Sequence, residues 1–315
     1  MSNIRRTALF AVFILTAFST ACVPSGAGDN SYRTTPRAIK TASATELYRF
    51  LTYTGNRYPL ISAHRGGPAP GFPENAIETF ENTYRYQPVI IECDVAMSRD
   101  SVLVLMHDET LDRTTTGSGK VSNLDYQELR NLYLKDNDGN TTSYRIPTLD
   151  ETLQWGADKV LFTVDVKRNV PYALVIDAIR RNNAVPYSVV ITYSADQAAE
   201  VHRQAPELMI SASIGSSDDL LRLADRNVPD NRLVAFVGTS AAEPEVYRLL
   251  HDHGILCILG TMGNLDKRAA TRGDTVYHQL IEAGADILST DRPQEAGRVL
   301  HEYRNTHKLT SEFIK

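Results

Sequence analysis

The chain has 315 residues, of which 42% are hydrophobic and 23% are charged, with 18 glycines and 14 prolines. This composition excludes collagen-like, low-complexity and wholly disordered chains, and the length allows one large domain or two of medium size. The 33 basic and 38 acidic residues give a formal net charge of -5, which disfavours a general binder of polyanions such as nucleic acids. An anionic substrate would therefore need local positive charge or a metal ion.

The N-terminal segment has the features of an export signal. Two arginines precede an apolar run over residues 8–18, and three small residues then lead to Cys22. The run is too short to span a bilayer, which takes about 20 residues. We therefore predict a signal peptide over residues 1–21. A cysteine at this position is similar to bacterial lipoprotein signals, in which Cys22 would carry the lipid, although plain secretion remains open.

This prediction makes the protein an exported one, periplasmic or at the cell surface, which touches the membrane through its lipid anchor only. Residues 22–45 are rich in small and polar residues without periodicity, which is typical of a linker. The folded domain is then predicted over residues 46–308. Beyond the signal, Cys93 and Cys257 lie in apolar runs, so two buried unpaired thiols are expected rather than a disulfide framework.

Short apolar segments alternate with longer amphipathic segments from residue 58 onward. This alternation indicates parallel strands, and about eight such units in roughly 250 residues favour a closed (β/α)8 barrel of TIM type over an open doubly wound sheet. Nine candidate strands compete for eight positions, so one must lie outside the barrel. The candidates are residues 59–63, 89–95, 102–106, 160–166, 188–192, 208–213, 233–237, 255–259 and 286–289. Predicted helices include residues 74–86, 172–181, 195–204, 244–251 and 274–283.

The connection over residues 109–148 is much longer than a link between a strand and a helix normally requires. It follows the third candidate strand, is rich in Thr, Gly, Asn and Asp, and contains one short helical pattern around residues 125–133. Insertions of this length are usually functional or carry their own small structure. Because it follows a strand, we expect it to lie over the C-terminal mouth of the barrel, where such enzymes have their active sites.

Acidic side chains alternate along two of the candidate strands. Glu92 and Asp94 share one strand face, with Cys93 on the other, and Asp165 with Lys167 repeats this spacing. Carboxylates that converge inside a barrel repel one another unless a cation lies between them or they share a proton. Hard cations prefer such oxygen ligands. Either pair taken alone would also fit a strand end that faces solvent.

Two histidines directly follow candidate strands. His64 precedes Arg65 and a glycine pair, and His107 precedes Asp108, so both would open onto the mouth beside the carboxylates. Imidazole titrates near neutral pH, so two facing histidines can give and take protons. The other histidines lie in helical or terminal patterns and are interpreted as structural: His202, His251, His253, His278, His301 and His307.

Six short motifs occur in a consistent order between about residues 61 and 293. They are His64-Arg65-Gly66-Gly67, Pro73-Glu74-Asn75, Glu92-Cys93-Asp94, His107-Asp108, Asp165-Val166-Lys167 and Thr290-Asp291-Arg292-Pro293. In this combination the chain resembles the glycerophosphodiester phosphodiesterase family. The resemblance implies a TIM-type barrel, an insertion after the third strand, and a divalent cation, Ca²⁺ or Mg²⁺.

The resemblance also implies which residues form the catalytic centre. The metal ligands of the family fall on Glu92, Asp94 and Asp165, and its acid and base histidines fall on His64 and His107. The family usually has Glu where this chain has Asp165, which is one methylene shorter.

Further residues of the motifs would surround this centre. By the same resemblance, Arg65, Glu74 and Lys167 would bind the substrate, with the two cations on phosphate oxygens. Asp108 would support a histidine or a metal ligand from behind. We interpret Asp291 as a residue that closes a turn or caps a helix.

The implied activity is hydrolysis of a small-molecule glycerophosphodiester to glycerol 3-phosphate and an alcohol. Related barrel enzymes that act on intact lipids, of the phospholipase D or phosphoinositide phospholipase kind, remain an alternative. So does a catalytically silent barrel that binds at a surface. A sugar-processing barrel is disfavoured, because two carboxylates on one strand cannot flank a glycosidic bond from opposite sides.

Overall fold

The computed structural model of the protein describes residues 37–315. The predicted signal peptide, Cys22 and residues 22–36 of the predicted linker therefore lie outside the described residues.

Eight parallel strands close into a barrel, with helices between successive strands. Each strand pairs with the next one along the chain, and the last pairs with the first, so the predicted (β/α)8 fold is confirmed. Strands that are covered on both faces read as continuous apolar, β-branched runs, which is why they were recognisable in the sequence. The barrel strands are β1 (Leu60–Ala63), β2 (Val89–Met97), β6 (Leu161–Val166), β7 (Ser188–Thr192), β8 (Met209–Ser213), β9 (Leu233–Phe236), β10 (Cys257–Gly260) and β11 (Ile287–Thr290).

One of the nine candidate strands, the third in chain order, lies outside the barrel. It is β3 (Leu103–Leu105). It turns back after β2 and pairs with it antiparallel, with Met97 opposite Leu103. The insertion follows β3, the third strand in chain order, and thereby connects the second barrel strand to the third. It carries a short helix, α3 (Tyr126–Leu129), and a hairpin that the sequence analysis did not predict, β4 (Tyr133–Lys135) and β5 (Thr141–Arg145).

The insertion has an apolar core of its own, separate from the core of the barrel. Val104 of β3 and Met106 directly after it pack with Leu111, Leu129 and Leu134 of the insertion, and all five side chains are buried. This small core explains how a long, polar connection keeps a defined structure over the mouth of the barrel.

The helices around the barrel bury their apolar faces on the strands. Several begin at a hydrogen-bonding cap: Ser194 and Ser216 accept from the first turns of α6 (Ala195–Gln204) and α7 (Ser217–Ala224), and Thr148 forms a capping box with Glu151. In residues 37–315 no helix combines the length and the apolar character needed to cross a membrane. The helices are α2 (Ile77–Tyr84), α4 (Leu149–Gly156), α5 (Tyr172–Arg181), α6 (Ala195–Gln204), α7 (Ser217–Ala224), α8 (Pro244–Asp252), α9 (Asn264–Arg272), α10 (Thr275–Glu282) and α11 (Pro293–Thr306).

The fold begins before the boundary predicted at residue 46. Ile39 is 1% exposed and forms a β-bridge with Ile314, and Ser43 caps the additional helix α1 (Ala44–Phe50). Residues 37–45 were predicted as linker because an isolated apolar contact gives no periodic pattern. Cys93 and Cys257 are buried and unpaired, as predicted.

Candidate active site

The candidate site lies at the carboxyl end of the barrel strands, where β1, β2 and β6 end beside the insertion. A cavity of about 210 Å³ opens there. Six of the residues that the sequence analysis proposed for catalysis, metal binding or substrate binding line this one cavity: His64, Glu92, Asp94, His107, Asp165 and Lys167.

Three carboxylates converge inside the cavity. Glu92, Asp94 and Asp165 are each at most 8% exposed, and one oxygen of each lies within 4.8 Å of the others. Strand register explains the convergence, because Asp94 is paired with Asp165 across β2 and β6, while Cys93 points into the apolar core. Burial and the charge of Asp94 raise the pKa of Glu92 to about 8. The cluster therefore lacks positive charge.

Lys167 supplies part of the positive charge that the three carboxylates need. Its Nζ lies 2.5 Å from an oxygen of Asp94 and 2.7 Å from one of Asp165. Burial acts to raise the pKa of Asp94, but Lys167 and a hydrogen bond from Asn75 outweigh it and hold that pKa below its usual value. One ammonium among three buried carboxylates leaves a net negative charge. These oxygens suit a hard divalent cation such as Ca²⁺ or Mg²⁺, so the residues present fit the metal that the resemblance implies.

Asn75 fixes one of the three carboxylates. Its Nδ2 donates to Oδ2 of Asp94 at 2.7 Å, and its Oδ1 accepts from the backbone nitrogen of Asp94 at 3.0 Å. The backbone of Asn75 is left-handed, with φ of 58°, a conformation that Asn tolerates better than most residues. The motif Pro73-Glu74-Asn75 therefore contributes to the site through the side-chain amide of Asn75 as well as through the carboxylate of Glu74.

Asp291 contacts His64, which corrects our interpretation of it as a turn or cap residue. Its Oδ1 lies 2.7 Å from Nδ1 of His64. The barrel closure brings the pair together, because β11 is paired with β1 and the residues that follow these strands become neighbours. Burial acts to lower the pKa of His64, but Asp291 and Glu92 outweigh it and raise that pKa. Asp291 thus orients the imidazole and favours its protonated form.

His107 has an equivalent partner. Oδ1 of Asp108 lies 2.7 Å from Nδ1 of His107, and Arg113 donates to Oδ2 of Asp108 at 2.7 Å. The hydrogen bond from Arg113 is the main cause that holds the pKa of Asp108 well below its usual range. Arg113 lies in the insertion and was not predicted as a site residue, because it belongs to none of the motifs and its partner Glu74 lies 39 residues before it.

Arg65 and Glu74 lie beside the cavity rather than in its lining. They line an adjacent groove of about 660 Å³ together with His64, Arg113 and Asp291. Arg65 and Arg113 both bind the carboxylate of Glu74, at 3.1 and 2.8 Å. The backbone nitrogen of Arg65 donates to Oε2 of Glu92 at 2.7 Å. Arg65 thus reaches the acidic cluster through its backbone and through Nε, which lies 3.7 Å from Oδ2 of Asp94, and it binds Glu74 through its guanidinium group.

The opposite wall of the cavity contains residues that the sequence analysis did not identify. Tyr193, directly after β7, donates from its hydroxyl to Oδ1 of Asp165 at 2.9 Å. Phe236, Ile258 and Met262 form an apolar surface near it. Tyr193, Phe236 and Met262 lie at or just beyond the end of a barrel strand, whereas Ile258 lies within β10. Small hydroxyl side chains inside the barrel complete the lining: Ser62, Thr163, Thr192, Ser211, Ser213 and Ser289.

Comparisons with known proteins agree with this architecture. The model of the glycerophosphoryl diester phosphodiesterase family matches residues 64–295. A solved glycerophosphoryl diester phosphodiesterase from Parabacteroides distasonis is 35% identical, with a TM-score of 0.78 over 85% of this chain and 94% of that one. The probable glycerophosphodiester phosphodiesterase 1 of Mycobacterium tuberculosis is 32% identical over 73% of this chain and 84% of its own length. A phosphodiesterase from Oleispira antarctica, solved with the product sn-glycerol-3-phosphate, shares the fold at 18% identity and a TM-score of 0.63, over 81% and 99% of the two chains.

Replacing Glu92 with Gln should stabilise the metal-free protein. The pKa of Glu92 is raised from 4.5 to about 8 on folding, so its contribution to stability is present below pH 4.5 and is lost as the pH rises to 8. Gln cannot ionise, and E92Q should therefore raise the Tm in a chelating buffer by several degrees at pH 8 and by less at pH 5. Thermal unfolding at both pH values measures this difference.

The matched control is Glu302→Gln on the exposed surface of α11, which should leave the Tm unchanged at both pH values. An E92Q protein whose Tm follows that of the wild type from pH 5 to pH 8 would contradict a strained buried charge at this position.

Proposed function

The chain belongs to the glycerophosphoryl diester phosphodiesterase family and is an enzyme of the phosphoric diester hydrolase class, and on this premise we propose the reaction and the roles of its residues. The substrate is a glycerophosphodiester, and the products are glycerol 3-phosphate and an alcohol. One observation carries the proposal: two histidines, each held by its own aspartate, line the same small cavity as three carboxylates and a lysine. The product bound to the relative from Oleispira antarctica supports the same product here.

Proton transfer is the task of His64 and His107. Each imidazole has its Nδ1 at a carboxylate, which favours the tautomer with the proton on Nδ1 and leaves Nε2 for chemistry. One imidazole removes the proton from the neighbouring glycerol hydroxyl group as its oxygen bonds to phosphorus, and the other protonates the alcohol oxygen as its bond to phosphorus breaks. Water then opens the resulting cyclic phosphate to give glycerol 3-phosphate.

Glu92, Asp94 and Asp165 would hold the divalent cation. When bound, the cation neutralises charge on a phosphate oxygen and so stabilises the transition state. Lys167 is next to two of these acids and would bind a second phosphate oxygen as a compact positive charge. Arg65 and Arg113 keep the neighbouring carboxylate of Glu74 neutralised and so limit repulsion of an anionic substrate.

The reaction is tested with a release assay on purified protein and a panel of glycerophosphodiesters. We expect activity to disappear in excess chelator and to return with Ca²⁺ or Mg²⁺, because buried carboxylates alone repel a phosphate anion. Phospholipid vesicles form a second arm. Release from vesicles but not from soluble diesters would favour the lipid-cleaving alternative, and release from neither would favour the silent barrel.

Removing either histidine should abolish most of the turnover. His64→Ala and His107→Ala should each lower kcat by at least about 100-fold if each transfers a proton. Asp291→Asn should cause a smaller loss, because it keeps the imidazole and weakens only its orientation. His278→Ala, on the exposed side of α10, is the control and should keep normal activity. Ordinary turnover in either catalytic variant would exclude that histidine from the mechanism.

We also propose that the protein is exported and lipidated at Cys22, on the basis of the N-terminal sequence alone. Expression of the full chain in a bacterial host, followed by fractionation and mass spectrometry, tests this. The wild type should sediment with membranes and carry a lipid, and Cys22→Ala should do neither. A wild-type protein without a lipid at a free N-terminus would favour plain secretion.

A further inference from the structure

Tyr193 has an unusual position for a large aromatic residue. It is 62% exposed, and it is one of three exposed large hydrophobic side chains within residues 37–315, together with Tyr133 and Leu221. Its hydroxyl nevertheless reaches into the cavity and donates to Oδ1 of Asp165. Packing of the core does not explain an exposed ring whose hydroxyl points inward.

The hydroxyl of Tyr193 binds the oxygen of Asp165 that Lys167 does not bind. Asp165 is 6% exposed, and its two oxygens have different partners, Tyr193 at Oδ1 and Lys167 at Oδ2. Lys167 is shared with Asp94 and carries a charge that a phosphate oxygen would also attract. Tyr193 is neutral and serves only Asp165 among the three acids, so it can hold this carboxylate without opposing a bound cation.

The ring of Tyr193 lies between the cavity and a further groove. This groove, of about 550 Å³, runs past the first turn of α6 and along α7. Tyr193, Ser213 and Phe236 line both this groove and the cavity, so they form the boundary between the two spaces. A group of the substrate that leaves the cavity in this direction must pass the ring.

We propose that Tyr193 is a positioning and specificity-determining residue: its hydroxyl orients Asp165 toward the cation, and its ring limits the space for the alcohol group of the diester. The proposal rests on the proposed function for the identity of the substrate. Its first part concerns cation binding and is measurable without any substrate.

Tyr193→Phe removes the hydroxyl and keeps the ring. We expect the affinity for Ca²⁺ or Mg²⁺, measured by isothermal titration of the metal into chelator-treated protein, to fall about 10-fold. The activity of this variant should recover at saturating metal, with an unchanged KM for the diester. The matched control is Tyr133→Phe in the hairpin of the insertion, where the ring stacks on Arg145 outside the cavity, and its metal affinity should equal that of the wild type.

Tyr193→Ala removes the ring as well. At saturating metal, its relative kcat/KM for diesters with bulky and with small alcohol groups should change, whereas Tyr193→Phe should keep the wild-type ratio. Circular dichroism and the Tm show whether each variant is folded, and the Phe variant alone decides the first part if the Ala variant is not.

Wild-type metal affinity in Tyr193→Phe would overturn the orienting role, and an unchanged ratio in a folded Tyr193→Ala would overturn the specificity role. A wild-type protein that hydrolyses no diester, while Tyr193→Phe still binds the metal more weakly, would reject the proposed function and leave the orienting role standing.

Discussion

Mutual repulsion among Glu92, Asp94 and Asp165 is the constraint around which the rest of the site is organised. Three acids that share one buried cavity are costly unless other groups compensate them. The compensation comes from different parts of the chain: the ammonium of Lys167, the amide of Asn75, the hydroxyl of Tyr193 and the backbone nitrogen of Arg65. These contacts hold the acids in place and still leave them short of positive charge, which is the condition for binding a cation and, through it, a phosphate.

The geometry of the barrel brings the residues of the site together. Side chains at alternate positions of β2 and β6 are directed inward, and the register of these strands brings Asp94 opposite Asp165. Ring closure then brings the loop after β11 to the loop after β1, so that Asp291 meets His64. Distant parts of the sequence come together in the candidate active site because every strand of a closed barrel has two neighbours.

Much of the fold and of the candidate site could be predicted from the sequence, because local patterns encode them. Buried parallel strands are apolar throughout, and the predicted strand ends lie within two residues of the observed ones. The spacing of Glu92 and Asp94 directly encodes a shared face. What local pattern could not supply was pairing: the reversal of β3, the hairpin of the insertion, and the contacts of Asp291, Arg113 and Tyr193 with residues far along the chain. Ile39 was missed for the same reason, since its partner Ile314 lies at the other end.

The separate apolar core of the insertion has a consequence for the support of His107. His107 follows Met106, which is packed in that small core, whereas Glu92, Asp94 and Asp165 belong to strands of the barrel. His107, one of the two residues proposed for proton transfer, is therefore supported by an apolar cluster different from the one behind the acids. Changes at Leu129 or Leu134 would therefore act first on the packing behind His107 and only indirectly on the barrel strands that carry the acids.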